Sequence, residues 1–102
     1  MPVDYKINSE KDEVSISISG QFDYDMHMDF KKLLDAAQVK NHKKYVIDMG
    51  AVEDMDSSAL GMLLLLRENA GGDEAHIEIT KLRPDIREIL AVANFDKLFR
   101  IN

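Results

Sequence analysis

Apolar and polar positions repeat with two different periods along this chain of 102 residues. Residues 3 to 8 suit a first strand, and VSISISG at 14 to 20 alternates apolar residues with serines, the period-two signature of a strand with one face in water. The intervening NSEKDE reads as a hairpin loop. After Gly20 the period lengthens. From Asp25 to about Val39, Met26, Phe30, Leu33, Leu34 and Ala37 fall on one helical stripe, with Asp23 or Asp25 placed to cap its start. KYVIDMG at 44 to 50 is a short, continuous apolar strand ended by Asp48 and Gly50, as expected of an interior strand.

The next stretch, DMDSSALGMLLLL at 54 to 66, sets two adjacent hydroxyls in an acidic cluster and follows them with an almost unbroken apolar run. A helix is expected from Ser57 or Ser58 to about Ala70, stopped at Gly71 and Gly72, which supply the left-handed cap. Its apolar residues cover nearly the whole circumference, so it must be covered on more than one side. HIEIT at 76 to 80 reads as another half-buried strand. Pro84 opens a helix at its tolerated first position, with Asp85 and Glu88 in the first turn and Ile86, Ile89, Leu90 and Ala93 as the buried stripe. Arg83 is a poor cap for it. FDKLFRIN closes the chain as one helical turn and a short strand.

The order is β-β-α-β-α-β-α with a short tail, and it contains no repeat, low-complexity segment or linker. Two βαβ crossovers imply right-handed parallel pairings, while the opening hairpin adds an antiparallel strand. The expected fold is therefore α/β, one domain over residues 1–102, with a mixed sheet of four to five strands. Serines at alternate positions of the second strand place the helices mainly on one face.

Composition narrows the function. With 45% hydrophobic and 31% charged residues the chain is an ordinary globular sequence, long enough for a core without disulfides or a structural metal. Its net charge of -6 argues against nucleic acid, which calls for a basic stripe. Lys40, Lys43 and Lys44 come nearest to one and read as a solvated turn, because no aromatic residue is interleaved to stack on a base. The absence of cysteine is compatible with a reducing compartment, and MPVDYKINSEKDE lacks the apolar core of a signal peptide, so a cytoplasmic location is expected. The run from Ala59 to Leu66 is far shorter than the ~20 residues of a membrane span and is closed by Arg67 and Glu68, so no membrane insertion is expected.

Catalytic readings fare poorly, and no enzyme activity and no cofactor are expected. Neither serine has the G-x-S-x-G context of a hydrolase nucleophile, and His27, His42 and His76 are scattered over a helix, a turn and a strand, where surface or edge roles suffice. No pair of histidines has metal-ligand spacing. Asp54, Asp56 and Ser58 imitate the start of a calcium loop, but Ala59 and Leu65 stand where that loop needs glycine and glutamate. Asp48 ends a central strand, as the phosphoacceptor of a response-regulator receiver does, yet the chain opens with a hairpin and no acidic pair follows its first strand. What remains is a serine at a helix start, for which capping by Ser57 or Ser58 is the plain structural role.

YVIDMGAVEDMDSSALGMLLLL resembles the signature of the STAS domain, the module shared by anti-sigma factor antagonists and the cytoplasmic tails of sulfate transporters. In the antagonists a strand ending in Asp leads to a loop and then to D-S-S-G-L-G at a helix start, matched here by Asp56, Ser57, Ser58, Ala59, Leu60 and Gly61. GQFD at 20 to 23 is similar to the family's G-x-L-D, and LRPDIREILAVANFDKLFRI to its closing helix and tail. The resemblance implies a phosphorylation-controlled antagonist with Ser57 as phosphoacceptor, Asp23 facing it and Asp56 beside it. Ala59 in place of glycine stiffens the helix start. Implied partners are an anti-sigma factor or serine kinase of the switch, bound by the unphosphorylated form, and a serine phosphatase. Met26, Met28, Asp54 and Met55 are candidates for the partner surface around the site, with Met28 the best placed for exposure, although core filling suits each methionine alone. The resemblance also admits a constitutive assembly subunit, like the STAS proteins that dock on bacterial lipid-transport ATPases.

Overall fold

The structure is a computed structural model that describes residues 2–37 and 42–102. The last two residues of the expected first helix, and Lys40 of the lysine group, lie outside the described residues. The elements run β1 (Val3–Asn8), β2 (Glu13–Phe22), a 3-10 turn (Tyr24–Met26), α1 (His27–Ala36), β3 (Lys44–Met55), α2 (Ser57–Asn69), a 3-10 turn (Gly72–Glu74), β4 (Ile77–Thr80), α3 (Pro84–Val92), a 3-10 turn (Phe95–Lys97) and β5 (Arg100–Ile101). The five strands form one sheet in the order β1-β2-β3-β4-β5. Only β1 and β2 are antiparallel; each later strand lies parallel to its neighbour. The expected mixed α/β sheet is thus the observed one.

Period-two patterning decides which face is covered. Val14, Ile16, Ile18 and Phe22 of β2 are buried while Ser15 and Ser17 are exposed, so the helices lie on one face. Onto that face α1 brings Phe30, Leu33 and Leu34, α2 brings Ala59, Met62, Leu63 and Leu66, and α3 brings Ile86 and Leu90. The helical residues sit at the three- and four-residue spacing that keeps one stripe inward. Of the stripe expected on α3, Ile89 and Ala93 are only partly buried. After α2 the backbone reaches φ 122° at Gly71 and 63° at Gly72, where a side chain would be strained.

β3 departs from expectation. It does not stop at Asp48 and Gly50 but runs on to Met55, so Asp54 and Met55 belong to the strand and not to a loop. Two bulges allow this. Ser17 faces Asp48 but Ser19 faces Ala51, and Gly20 faces Val52 but Gln21 faces Asp54, so β3 gains one residue on β2 at each step. Each extra residue flips the inward phase, and the buried positions become Tyr45, Ile47, Met49, Val52 and Met55. The three-residue spacing of the last three is neither strand nor helix periodicity, which is why it is invisible to a pattern search.

The first helix is also displaced. A 3-10 turn occupies Tyr24–Met26, Asp23 caps it by accepting the Asp25 N–H at 3.1 Å, and the α-helix begins only at His27 with no side-chain cap. His42 corrects its expected surface role: its side chain is only 13% exposed, its Nδ1 lies 3.1 Å from Asp12 Oδ1 and its Nε2 lies 3.0 Å from the Ala37 carbonyl. Together these contacts tie the β1–β2 turn to the end of α1. The His42 N–H also donates to the buried Tyr45 hydroxyl at 3.3 Å.

Two predictions test this packing. Met49→Ala should cost about 2–5 kcal/mol in chemical denaturation because it empties a buried site, whereas Ala51→Ser on the bulge should stay within about 0.5 kcal/mol. A strand without bulges would not separate these two positions in this way. Burial raises the Tyr45 phenol above its usual value, outweighing the His42 N–H that lowers it, with the Asp12 charge adding to the rise. The unfolded chain therefore gives up this proton more readily, so the stabilising contribution is complete below about pH 10 and falls as pH climbs from there through the folded value. Alkaline melts should show wild type losing stability more steeply above pH 10 than Tyr45→Phe.

Candidate functional site

The carboxyl ends of β2 and β3 build the site. Phe22 faces Met55 in the last registered pair, and the Phe22 carbonyl accepts the Asp56 N–H at 3.3 Å. Asp23 and Asp56 follow those paired residues directly, one residue beyond the ends of the two adjacent strands. β3 then turns into α2 within one residue, and the burial of Ala59, Met62, Leu63 and Leu66 anchors that helix against the sheet.

Asp56, not a serine, caps α2. It is in extended conformation, and its Oδ1 accepts the N–H groups of Ser58 at 2.9 Å and Ala59 at 3.3 Å. The expectation that Ser57 or Ser58 does the capping is therefore overturned. Asp fits here because its short carboxylate reaches the second and third amides of the helix and carries the charge that a helix N-terminus favours. Ser57 is the first helical residue and is exposed, Ser58 is half-buried and Ala59 is fully buried. With the cap supplied by its neighbour, the Ser57 hydroxyl is not consumed in closing the helix end.

The surrounding acids are similarly committed to local turns. Asp23 holds the Asp25 N–H, and Asp54 accepts the Met55 N–H at 2.9 Å. Asp54, Asp56 and Glu53 are exposed, and Asp23 is half-buried. Gly61 is exposed on α2 with open space where a Cβ would lie. The methionines separate cleanly. Met26 and Met55, at 4% and 7% exposure, belong to the core and cannot form a partner surface; they fill space beneath the site. Met28, at 64%, stands outside, and Met62 is buried. Tyr24 is equally outward and stacks on the His27 ring, with centroids 5.3 Å apart.

A second polar cluster escaped the sequence reading. On the open face of the sheet, Lys81 Nζ lies 3.3 Å from Asp48 Oδ2, while Asp48 Oδ1 accepts the Gly50 N–H at 2.9 Å. Its signal was the short HIEIT strand, whose parallel register sets Thr80 opposite Asp48 and leaves Lys81 one step beyond. The ion pair is solvated, and its contribution is about 0–1 kcal/mol. No helix among the described residues is long and apolar enough to cross a membrane.

The family model described as "Mlab, STAS domain" matches residues 6–100. The chain belongs to the STAS domain family. A STAS-domain containing protein of Pseudomonas aeruginosa is 41% identical over 95 residues, covering 93% of each chain. A Bordetella bronchiseptica relative that bears the name anti-sigma factor antagonist BtrV is 27% identical over 67 residues, covering 65% of this STAS domain and 58% of that protein. Among solved structures, the protein TM1081 of Thermotoga maritima, whose structure carries the name anti-sigma factor antagonist, superposes with a TM-score of 0.83 at 20% identity, covering 97% of this chain and 84% of the other. This STAS domain therefore shares the fold of that structure.

One prediction separates the two capping assignments. Asp56→Ala should destabilise the domain by about 1 kcal/mol, within the 0.5–2 kcal/mol range of lost caps, while Ser57→Ala and Ser58→Ala each cost less than about 0.5 kcal/mol in urea melts. Equal losses at Asp56 and Ser57 would return the cap to the serine.

Proposed function

We propose that this chain is a cytoplasmic, phosphorylation-controlled antagonist of an anti-sigma factor or switch kinase, a binding protein and not an enzyme, with Ser57 as its phosphoacceptor. The observation that carries the proposal is the division of labour at the start of α2: Asp56 closes the helix and Ser57 keeps an exposed hydroxyl on a rigid first turn. Membership of the STAS family and the name carried by the Bordetella relative support it.

The physics of the switch follows from the same geometry. A phosphate on Ser57 adds about -1.5 to -2 charges at neutral pH. Helix N–H groups would ordinarily favour that charge by about 0.3–1 kcal/mol, but the amides of Ser58 and Ala59 are already held by the Asp56 carboxylate. Asp54, Asp56 and Asp23 stand at the same corner and add like charge, while Ser57 itself is exposed to solvent. The fold is left intact. At an interface fitted to a neutral hydroxyl, an unpaired charge costs roughly 2–5 kcal/mol, or about thirty-fold to several thousand-fold in affinity. The unphosphorylated form thus binds the anti-sigma factor or kinase and frees what it held, phosphorylation abolishes or redirects that binding, and a serine phosphatase resets it. Exposed Met28, with Asp54 on the strand end, borders the contact surface.

The test is phosphopeptide mapping of the protein from its native cells, joined to partner capture with Ser57→Ala and Ser57→Asp. Phosphate at Ser57, with a partner retained by Ala and lost by at least about thirty-fold with Asp, is the expected result. Absence of modification, with the same partner held by both variants, would make this a constitutive assembly subunit.

A further inference from the structure

β1 is an edge strand, and the backbone groups it turns outward can be identified. The Ser19 N–H donates to the Pro2 carbonyl at 2.9 Å, and Pro2 opposite Ser19 continues the register in which Val3 faces Ile18. In an antiparallel ladder, opposed pairs that exchange hydrogen bonds alternate with pairs that do not. Since Pro2 opposite Ser19 is of the first kind, Asp4, Lys6 and Asn8 turn their N–H and C=O groups toward β2. Val3, Tyr5 and Ile7 turn theirs to the outer edge, where no described strand pairs with them.

The side chains at this edge are unusual for a covered sheet. Val3, Tyr5 and Ile7 stand opposite Ile18, Ile16 and Val14, all core residues, and so share the helix-covered face. Yet Tyr5 and Ile7 are 39% and 41% exposed, whereas Val3 on the same strand is buried. An added antiparallel strand could meet β1 only at Val3, Tyr5 and Ile7, and among such registers the strand's own sequence selects one. With Tyr5 opposite Tyr5 of a second copy, Val3 faces Ile7 on the apolar side and Asp4 faces Lys6 on the open side, each twice by symmetry. The neighbouring permitted registers set Asp4 against Asp4 or Lys6 against Lys6, which like charges disfavour.

We propose that β1 is a self-association edge: two copies pair β1 to β1, antiparallel and centred on Tyr5, into one continuous sheet. The assembly is a closed two-fold dimer, because each copy uses its same edge. The opposite edge, β5, spans only two residues and offers little ladder to propagate it. β3, which leads into α2, stands two strands in from the paired edge, so each copy keeps its Ser57 turn outside the contact. This inference does not rest on the switch.

Sedimentation of the full chain across a wide concentration range tests it, with circular dichroism checking the fold of each variant. Wild type should show a reversible monomer–dimer equilibrium. Lys6→Glu turns both Asp4–Lys6 pairs into like-charge pairs and should weaken the dimer at least about tenfold. The double exchange Asp4→Lys with Lys6→Asp should restore it. Tyr5→Pro removes an N–H that faces the outer edge, so the domain should fold and the dimer should be lost. A wild type that stays monomeric at all concentrations overturns the proposal, as does a dimer that survives both Lys6→Glu and Tyr5→Pro. A charge exchange that fails to restore the dimer overturns the register.

Discussion

The parallel pairing of β2 with β3 is the constraint on which the rest of the structure depends. It spans Glu13 to Phe22 on one strand and Lys44 to Met55 on the other, and it absorbs two extra residues of β3 on the way. Without those bulges the alternation of β3 would carry Val52 out of the core, and Met55 would not come to rest opposite Phe22. With them, both strands end together, and the two aspartates that follow, Asp23 and Asp56, each start a helical turn from neighbouring positions. Site geometry is thus a consequence of sheet register.

The acidic residues at that corner have structural duties that explain their crowding. Asp23, Asp54 and Asp56 each accept a backbone N–H within three residues of themselves. Such short side-chain bonds compete with regular secondary structure in mid-element and complete it at ends, which is where these residues stand. Their negative potential is therefore built into the same bonds that hold the strand ends and the start of α2. Under the proposed switch, a phosphate on Ser57 would meet Ser58 and Ala59 amides already held by Asp56 and charges of its own sign, so its effect would fall on a bound partner more than on the helix behind it.

Much was legible in the sequence for a physical reason. Period-two alternation in VSISISG and the helical stripe of Phe30, Leu33 and Leu34 report burial on one face directly, and Pro84 and Gly71 mark where backbone conformation is restricted or released. The motif from Asp56 to Gly61 was legible as a family likeness, although its cap was assigned to Ser57 or Ser58, one or two residues too late. Asp and Ser are near-equal caps, so only the chain's path decides between adjacent ones. The exposure of each methionine was likewise hidden, since methionine fills cores and surfaces with equal ease.

Sequence by itself determined the elements, their order, the single covered face and the hydroxyl-bearing helix start, because these follow from local periodicity and backbone chemistry. Tertiary structure alone decided that β3 continues to Met55, that Asp56 closes α2, that His42 joins the first turn to the end of α1, and that Lys81 meets Asp48. The Asp56 cap is a local bond placed by where β3 ends, and the others depend directly on which residues of distant segments stand opposite one another. Register between strands arises from packing the whole sheet against its helices, and no window along the chain contains it.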